Sequence, residues 1–172
     1  MTETEVLVCA ECGIAHPAEE IELTFHLPDA IAAMTAEARA ARCRETEDQC
    51  AIWGAGGAGH RFFLRALLPL AVESREEPYC LGVWLEVSDA VFYRIDALRD
   101  DPGQSDEPPL PATLANNVPF HRQSIGMPGS LQLHGPASRP SFDLDESSHD
   151  LYQEQQCGIS PHRAWEYTRL VA

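Results

Sequence analysis

The stretch YCLGVWLEV, residues Tyr79–Val87, is the clearest strand signal in this chain of 172 residues. It combines aromatic and β-branched side chains, which favour extended backbone. Ser88 follows directly and is a residue type that caps helices, so the next stretch, DAVFYRIDALRD, is predicted to be a helix. The middle of the chain therefore contains a strand that passes straight into a helix.

The segment before this strand is predicted to hold one helix and several short strands. Residues 29–44 are rich in alanine and place Ile31, Met34, Ala38 and Ala41 at helical spacing. The other predictions are a short strand in QCAIW, a loop in the glycine cluster GAGGAG, and extended segments in HRFFLRALLPLAV that break near Pro69.

After the strand and helix, turn residues separate weaker strand signals. The predicted strands lie in ATLANNV, SLQLHG and SFDLDE. Two helices are expected at the end of the chain: one from Ser148 to about Gln156 that stops at Gly158, and one capped by Ser160 with Pro161 in its first turn.

The order of these elements predicts the fold class. Strands cluster in the middle and helices flank them, which indicates an α+β fold with a mainly antiparallel sheet and a zinc-knuckle-like segment at the start. The length suits one domain. Its expected parts are a knuckle plus helix at 1–50, a sheet core at 51–146 with an acidic loop at 100–111, and C-terminal helices at 147–172.

The charge of the chain argues against two classes of partner. There are 27 acidic side chains against 12 basic ones, all of them arginine, for a formal net charge of −15. Such a field repels both nucleic acid and anionic membranes. We expect neither as a partner. A cationic protein partner fits this charge, and so does an acidic surface that only aids solubility.

The sequence also predicts where the protein resides. Its start, MTETEV, lacks the basic end and apolar run of a signal peptide. The longest apolar candidate for a membrane span, FFLRALLPLAV, is interrupted by Arg65 and Pro69. We therefore expect a cytoplasmic protein, in which the six cysteines do not form a disulfide framework.

Several separate stretches together resemble a known family. In chain order they are CAECGIAH, DQCAI, RFFLR, EEPYCLGVWLEVSDAVF, EPPL and SSHDLYQEQQCGIS. Their order and spacing resemble DUF2199, an uncharacterised bacterial family. The resemblance implies a compact bacterial domain whose start is similar to a zinc knuckle, with Cys9, Cys12, His16 and Cys50 at the family's candidate ligand positions. It implies no established activity.

The chain departs from the family pattern at three places. Leu81 stands where the family usually has a tryptophan, residues 111–113 replace an aromatic-glycine-tryptophan step, and Asp150 follows His149 in place of proline. The resemblance therefore does not carry over a pocket lined by those aromatic side chains.

The paired cysteines near the start predict a zinc site. Cys9 and Cys12 form a Cys-x-x-Cys turn, Gly13 suits the backbone after it, and His16 lies close enough to add a nitrogen. The fourth ligand must come from elsewhere, because no second knuckle follows. Cys50 is preferred over Cys43, since it begins a predicted strand and matches the family position.

Two alternatives remain for the cysteine pair. The thiols could simply be buried apolar groups beside a surface histidine. A redox-active pair is disfavoured, because Glu11 and the surrounding acids are expected to raise the thiol pKa values. If all four candidate ligands bind zinc, no position is left for water, which favours a structural role over a catalytic one.

A second cluster offers candidates for chemistry. His149 is flanked by Asp145, Glu146 and Asp150, with Glu154 one helical turn further on. A histidine beside a carboxylate could act as a general base, but acidic residues also collect at helix starts for electrostatic reasons alone.

Two other motifs of enzymes are not present in the sequence. The GAGGAG loop lacks the Lys-Ser/Thr of a phosphate-binding loop, and we find no nucleophilic triad.

These observations favour a non-enzymatic, zinc-binding, acidic protein-interaction module. The first alternative is a metal-dependent hydrolase with an open zinc position and His149 or Glu154 as base. A weaker one, by analogy only, is an immunity-type protein that neutralises a toxin. An RNA-linked zinc ribbon conflicts with the net charge of −15.

Overall fold

The fold is organised around a long antiparallel hairpin. In the computed structural model, which describes residues 7–16, 21–54 and 59–171, strands β5 (Arg61–Leu70) and β6 (Tyr79–Val87) pair along their whole length. The register runs from Phe62 opposite Val87 to Leu70 opposite Tyr79. The predicted strand at 79–87 is confirmed with the same bounds.

Seven strands of the described chain form one sheet in the order β3-β4-β5-β6-β7-β8-β9, and each neighbouring pair is antiparallel. A parallel contact between Leu67 of β5 and Ser141 of β9 closes β5 to β9 into a barrel-like unit. The remaining strands of this sheet are β3 (Cys43–Glu45), β4 (Gln49–Ile52), β7 (Leu110–Leu114), β8 (Pro128–Gln132) and β9 (Ser141–Leu144).

Two further strands, β1 (Leu7–Val8) and β2 (Ala15–His16), form a separate small hairpin. Helices flank the large sheet: α1 (Asp29–Ala32), α2 (Ala36–Arg42), α3 (Asp89–Ala97), α4 (Asp150–Cys157), α5 (Pro161–Thr168), and a short 3₁₀ turn at Pro102–Asp106. The expected caps are present, because the hydroxyls of Ser88 and Ser160 accept hydrogen bonds from the N–H groups three residues on. The predicted α+β class is confirmed.

The main core fills the barrel-like unit. Alternate residues of β5 and β6 point inward, so that Leu68 and Val83 are fully buried, as are Leu131 and Phe142 of the later strands. Leu151 of α4 and Tyr167 of α5 join this core and cover it. Helix α5 is therefore held against the sheet by apolar burial, the dominant stabilising term in folding.

A second, smaller core lies on other faces of the same strands. Phe63 of β5 and Trp84 of β6 pack with Ile31 of α1 and Cys50 of β4. The Trp84 indole N–H donates to the backbone oxygen of Phe25 at 3.0 Å, which satisfies its one donor.

Three predicted helix boundaries differ from the structure. The helix predicted over 29–44 is divided into α1 and α2, because the Thr35 hydroxyl accepts from the Ala38 N–H and so starts a new helix. Cys43 and Arg44, which the sequence places at the end of that helix, belong to strand β3. The helix predicted to start at Ser148 is α4, which begins at Asp150 and is capped by the His149 side chain.

Pro69 does not break the strand, contrary to the sequence-based expectation. The N–H groups of Arg65 and Leu67 donate away from β6, to Asp48 and Pro140 respectively. By the alternation of a strand, the missing N–H of Pro69 falls on this same side, so the pairing with β6 loses nothing.

Some predictions fall on chain that the structure does not describe. They are the acidic start at 1–6 and most of the glycine loop, at 55–58. No helix in the described part of the chain has the length and apolar character to cross a membrane. The division into a single domain stays a prediction.

We expect Leu68→Ala to destabilise the fold much more than Leu67→Ala. Leu68 is fully buried inside the barrel-like unit, whereas Leu67, next to it on β5, is only partly buried. Truncating a buried leucine costs about 2–5 kcal/mol. Urea denaturation of the two variants measures the difference, and equal losses would contradict the assignment of the inner face.

Candidate metal centre

The small N-terminal hairpin shapes the first half of the site. Its two strands pair Leu7 with His16 and Val8 with Ala15. Between them, the Cys9 N–H donates to the Ile14 oxygen at 2.9 Å, and the Gly13 N–H donates to the Cys9 oxygen at 2.8 Å. Gly13 has a φ of 70°, a left-handed conformation that favours glycine. This turn brings Cys9 and Cys12 together.

Four side chains converge at this hairpin. One potential ligand atom each from Cys9, Cys12, His16 and His162 lies within 4.8 Å of all the others. The Cys9 Sγ is 3.5 Å from His162 Nδ1, and the Cys12 Sγ is 3.3 Å from His16 Nε2. A tetrahedral zinc ion bound by sulfur and nitrogen separates such ligand atoms by about 3.5 Å. This group can therefore hold a metal ion.

Helix α5 provides the fourth side chain. Ser160 caps the helix and Pro161 occupies its first position, so His162 lies in the first turn. Trp165, one turn further on, stacks on the His16 ring with a centroid distance of 4.1 Å. The packing of His16 on Trp165 thus fixes the hairpin against the helix.

The environment of Cys9 suits a metal ligand. A hydrogen bond from the Cys12 backbone lowers the pKa of the Cys9 thiol to about 6; the Glu11 backbone and the His16 side chain act in the same direction, and burial opposes them. The sequence-based expectation of a raised pKa is wrong for Cys9, since hydrogen bonds from the backbone, above all from Cys12 and then from Glu11, lower it. Thiolate is the form that binds metal.

Cys50, which the sequence predicts as the fourth ligand, lies away from these four side chains. It is 1% exposed in the second core, where it packs with Phe63 and Trp84. Burial raises the pKa of its thiol to about 12, so it is protonated at neutral pH. Cys43, the other candidate considered, has its Sγ 3.4 Å from the sulfur of Met34. His162 takes the place that the sequence assigned to Cys50.

The structure places the second predicted cluster at the start of α4. The His149 ring caps α4, with Nδ1 accepting from the Leu151 N–H at 3.1 Å and Nε2 3.2 Å from the Arg122 backbone oxygen. Both ring nitrogens therefore have backbone partners, and the neighbouring carboxylates make none of these contacts. His149 acts here as a helix cap.

Glu154 belongs to a buried network. Its carboxylate accepts hydrogen bonds from Arg163 Nε and the Tyr167 hydroxyl, both at 2.8 Å, and one oxygen lies 3.1 Å from His121 Nε2. Burial alone would raise the pKa of Glu154, but hydrogen bonds from His121 and Tyr167, with the charge of Arg163, outweigh it and lower the pKa. The carboxylate is thus held ionised between α4 and α5.

A family model matches most of the chain. The model described as an uncharacterised protein conserved in bacteria, DUF2199, matches residues 8–159. No curated protein and no solved structure matches the chain. The matched stretch contains Cys9, Cys12 and His16 and ends three residues before His162. The family resemblance expected from the sequence is confirmed.

We expect the contribution of Glu154 to stability to disappear in acid. Because its pKa in the folded protein lies below the unfolded value near 4.5, the stabilisation is complete above that pH and is lost as the pH falls through the folded pKa. Glu154→Gln should cost about 1–3 kcal/mol at pH 7 and progressively less below pH 4.5.

Urea midpoints across this pH range measure the effect. Glu37→Gln, on an exposed part of α2, provides the control. A loss for Glu154→Gln that is the same at neutral and acid pH would contradict the assigned role of the carboxylate.

Proposed function

We propose that this chain, which belongs to the bacterial DUF2199 family, binds one structural zinc ion and acts as a non-enzymatic, acidic protein-interaction module. The zinc would be held by Cys9, Cys12, His16 and His162, whose ligand atoms lie within 4.8 Å of one another. This clustering is the observation that carries the proposal.

The donor set favours zinc over other metals. Two thiolates and two imidazoles form the Cys₂His₂ set of structural zinc sites, whereas calcium and magnesium prefer oxygen ligands. Zinc has no redox chemistry, and in a closed site of four protein ligands its role is to hold chain segments together.

The same geometry favours a structural role over hydrolysis. A catalytic zinc usually has three protein ligands and one position for water. Here four potential donors lie within 4.8 Å of one another, enough to fill a tetrahedral zinc site. The two residues considered as bases are also engaged, since His149 caps α4 and Glu154 is paired with Arg163.

The charge supports a protein partner with a basic surface. The net charge of −15 produces a negative field that would attract a cationic protein and repel nucleic acid. Several arginines are neutralised locally by acids of the same chain, for example Arg61 by Glu86 and Arg94 by Glu107.

We expect purified protein to contain one zinc ion per chain, and its removal to lower the melting temperature. Zinc at about a thousandfold above its Kd would stabilise the fold by about 4 kcal/mol. For a chain of this size that corresponds to a Tm change of about 10 °C. Elemental analysis and thermal scans with and without a chelator test this, and metal-free protein of unchanged Tm would contradict the proposal.

We expect His162→Ala to weaken zinc binding and Cys50→Ala to leave it unchanged. Loss of a direct ligand should exceed the tenfold to roughly hundredfold cost of losing an outer-sphere partner. A competition titration with a chromophoric chelator measures both variants. X-ray absorption should give two sulfur and two nitrogen ligands; a bound water would instead favour the hydrolase.

We expect a tagged form of the protein to retain a basic partner from its native host at low salt and to release it as salt screens the charges. The measurement is the stoichiometry of the retained protein at each salt concentration. Recovery of no stoichiometric partner would count against the interaction module while leaving the zinc site intact.

A further inference from the structure

Hydrogen bonds and one longer charge contact connect the candidate metal centre with the partly buried network around Glu154. The His162 ring uses Nδ1 toward Cys9, and its other nitrogen, Nε2, lies 3.9 Å from Glu166 Oε1. The second Glu166 oxygen accepts a hydrogen bond from Arg163 at 2.8 Å. Arg163 also donates to Glu154, and Glu154 contacts His121.

We propose that Glu166 is a positioning residue of the metal centre, and that the ion pairs Glu166–Arg163–Glu154 couple metal occupancy to His121. The inference rests on the proposed zinc site, because it concerns how that site is oriented and what responds to it.

The first argument concerns the orientation of the His162 ring. When Nδ1 of a histidine binds a metal, its proton resides on Nε2, and a carboxylate that accepts this proton fixes the ring in place. His162 and Glu166 are four residues apart on α5 and so share one face of the helix. At 3.9 Å the carboxylate is not hydrogen-bonded to Nε2, but a small side-chain rotation brings it into hydrogen-bond distance, where it would hold His162 with Nδ1 toward the thiolates.

The two histidines of the site differ in the partners of their second ring nitrogen. The Nδ1 atom of His16 is buried and has no hydrogen-bond partner among the described residues. His16 is instead held by its stacking on Trp165. Of the two rings, His162 is therefore the one that has a nearby carboxylate among the described residues.

The second argument concerns how Arg163 couples Glu166 to Glu154. Arg163 bridges two carboxylates, with Nη1 on Glu166 and Nε on Glu154, each at 2.8 Å. Its guanidinium also lies over the Phe120 ring at 5.1 Å. Because Arg163 shares its donors between the two acids, a change in how Glu166 engages His162 alters the charge balance at Glu154.

Glu154 and His121, which lie farthest from the metal centre in this set of contacts, are shielded from solvent. The Glu154 side chain is 15% exposed and that of His121 is 2% exposed. Charges in such surroundings are screened weakly by salt and water. A small change at Glu166 can therefore reach His121, whose Nδ1 atom is buried without a hydrogen-bond partner among the described residues.

The first test measures zinc affinity in matched variants of the full chain. We expect Glu166→Gln to bind zinc at least about tenfold more weakly than wild type. Glu37→Gln removes the same charge from exposed α2 and should bind as wild type does. Equal affinities of the two variants would overturn the positioning role.

The second test reads the histidine ring nitrogens by ¹⁵N NMR. Zinc-loaded wild-type protein should have the metal on His162 Nδ1 and the proton on Nε2, and zinc loading should shift the His121 ring signals. In Glu166→Gln the His121 shift should be lost, whereas it should persist in Glu37→Gln. Metal on His162 Nε2, or His121 signals in wild type that ignore zinc, would overturn the inference.

The two tests separate this inference from the proposed function. If wild-type protein binds no zinc, the proposed site fails and the inference fails with it. If zinc binds but Glu166→Gln behaves as Glu37→Gln does, only the inference fails. Should Glu166→Gln not fold, the wild-type tautomer of His162 and the response of His121 decide the matter alone.

Discussion

The contact between Cys9 and His162 is the constraint on which the arrangement of the candidate site depends. The two side chains are 153 residues apart in sequence, yet the Cys9 sulfur lies 3.5 Å from the imidazole. The hairpin that carries Cys9 has strands of only two residues, and so short a hairpin is not stable alone. Its position depends on α5, through the stacking of His16 on Trp165 and through any metal that the four donors share.

Local sequence signals were sufficient for much of the fold. The strand at 79–87 and the helix after Ser88 follow from side-chain type and capping chemistry, which act within a few residues. The Cys-x-x-Cys turn with Gly13 and His16 is equally local, and the structure does bring Cys9, Cys12 and His16 together. Binding of zinc by these residues stays a prediction.

The predictions that the structure does not match failed for a different physical reason. His162 joins the site only because α5 packs over the barrel-like unit, and no short-range pattern encodes that contact. A histidine just after a Ser-Pro helix start was the sole signal available. For Cys50 the apolar character of QCAI, and not its cysteine, was the better guide, since β4 buries it beside Phe63. The division of the first helix was encoded by Thr35, whose capping role competes with helix continuation.

The position of the candidate metal centre separates two requirements within one helix. One face of α5 buries Ala164 and Tyr167 in the main core, which anchors the helix whether or not metal is bound. The adjoining face carries His162 and Glu166, which lie at the candidate metal centre. Arg163 lies between these faces and pairs with both Glu154 and Glu166. Because the buried face anchors α5 on the sheet, the ion would act mainly on the hairpin, whose other described contact with α5 is the stacking of His16 on Trp165.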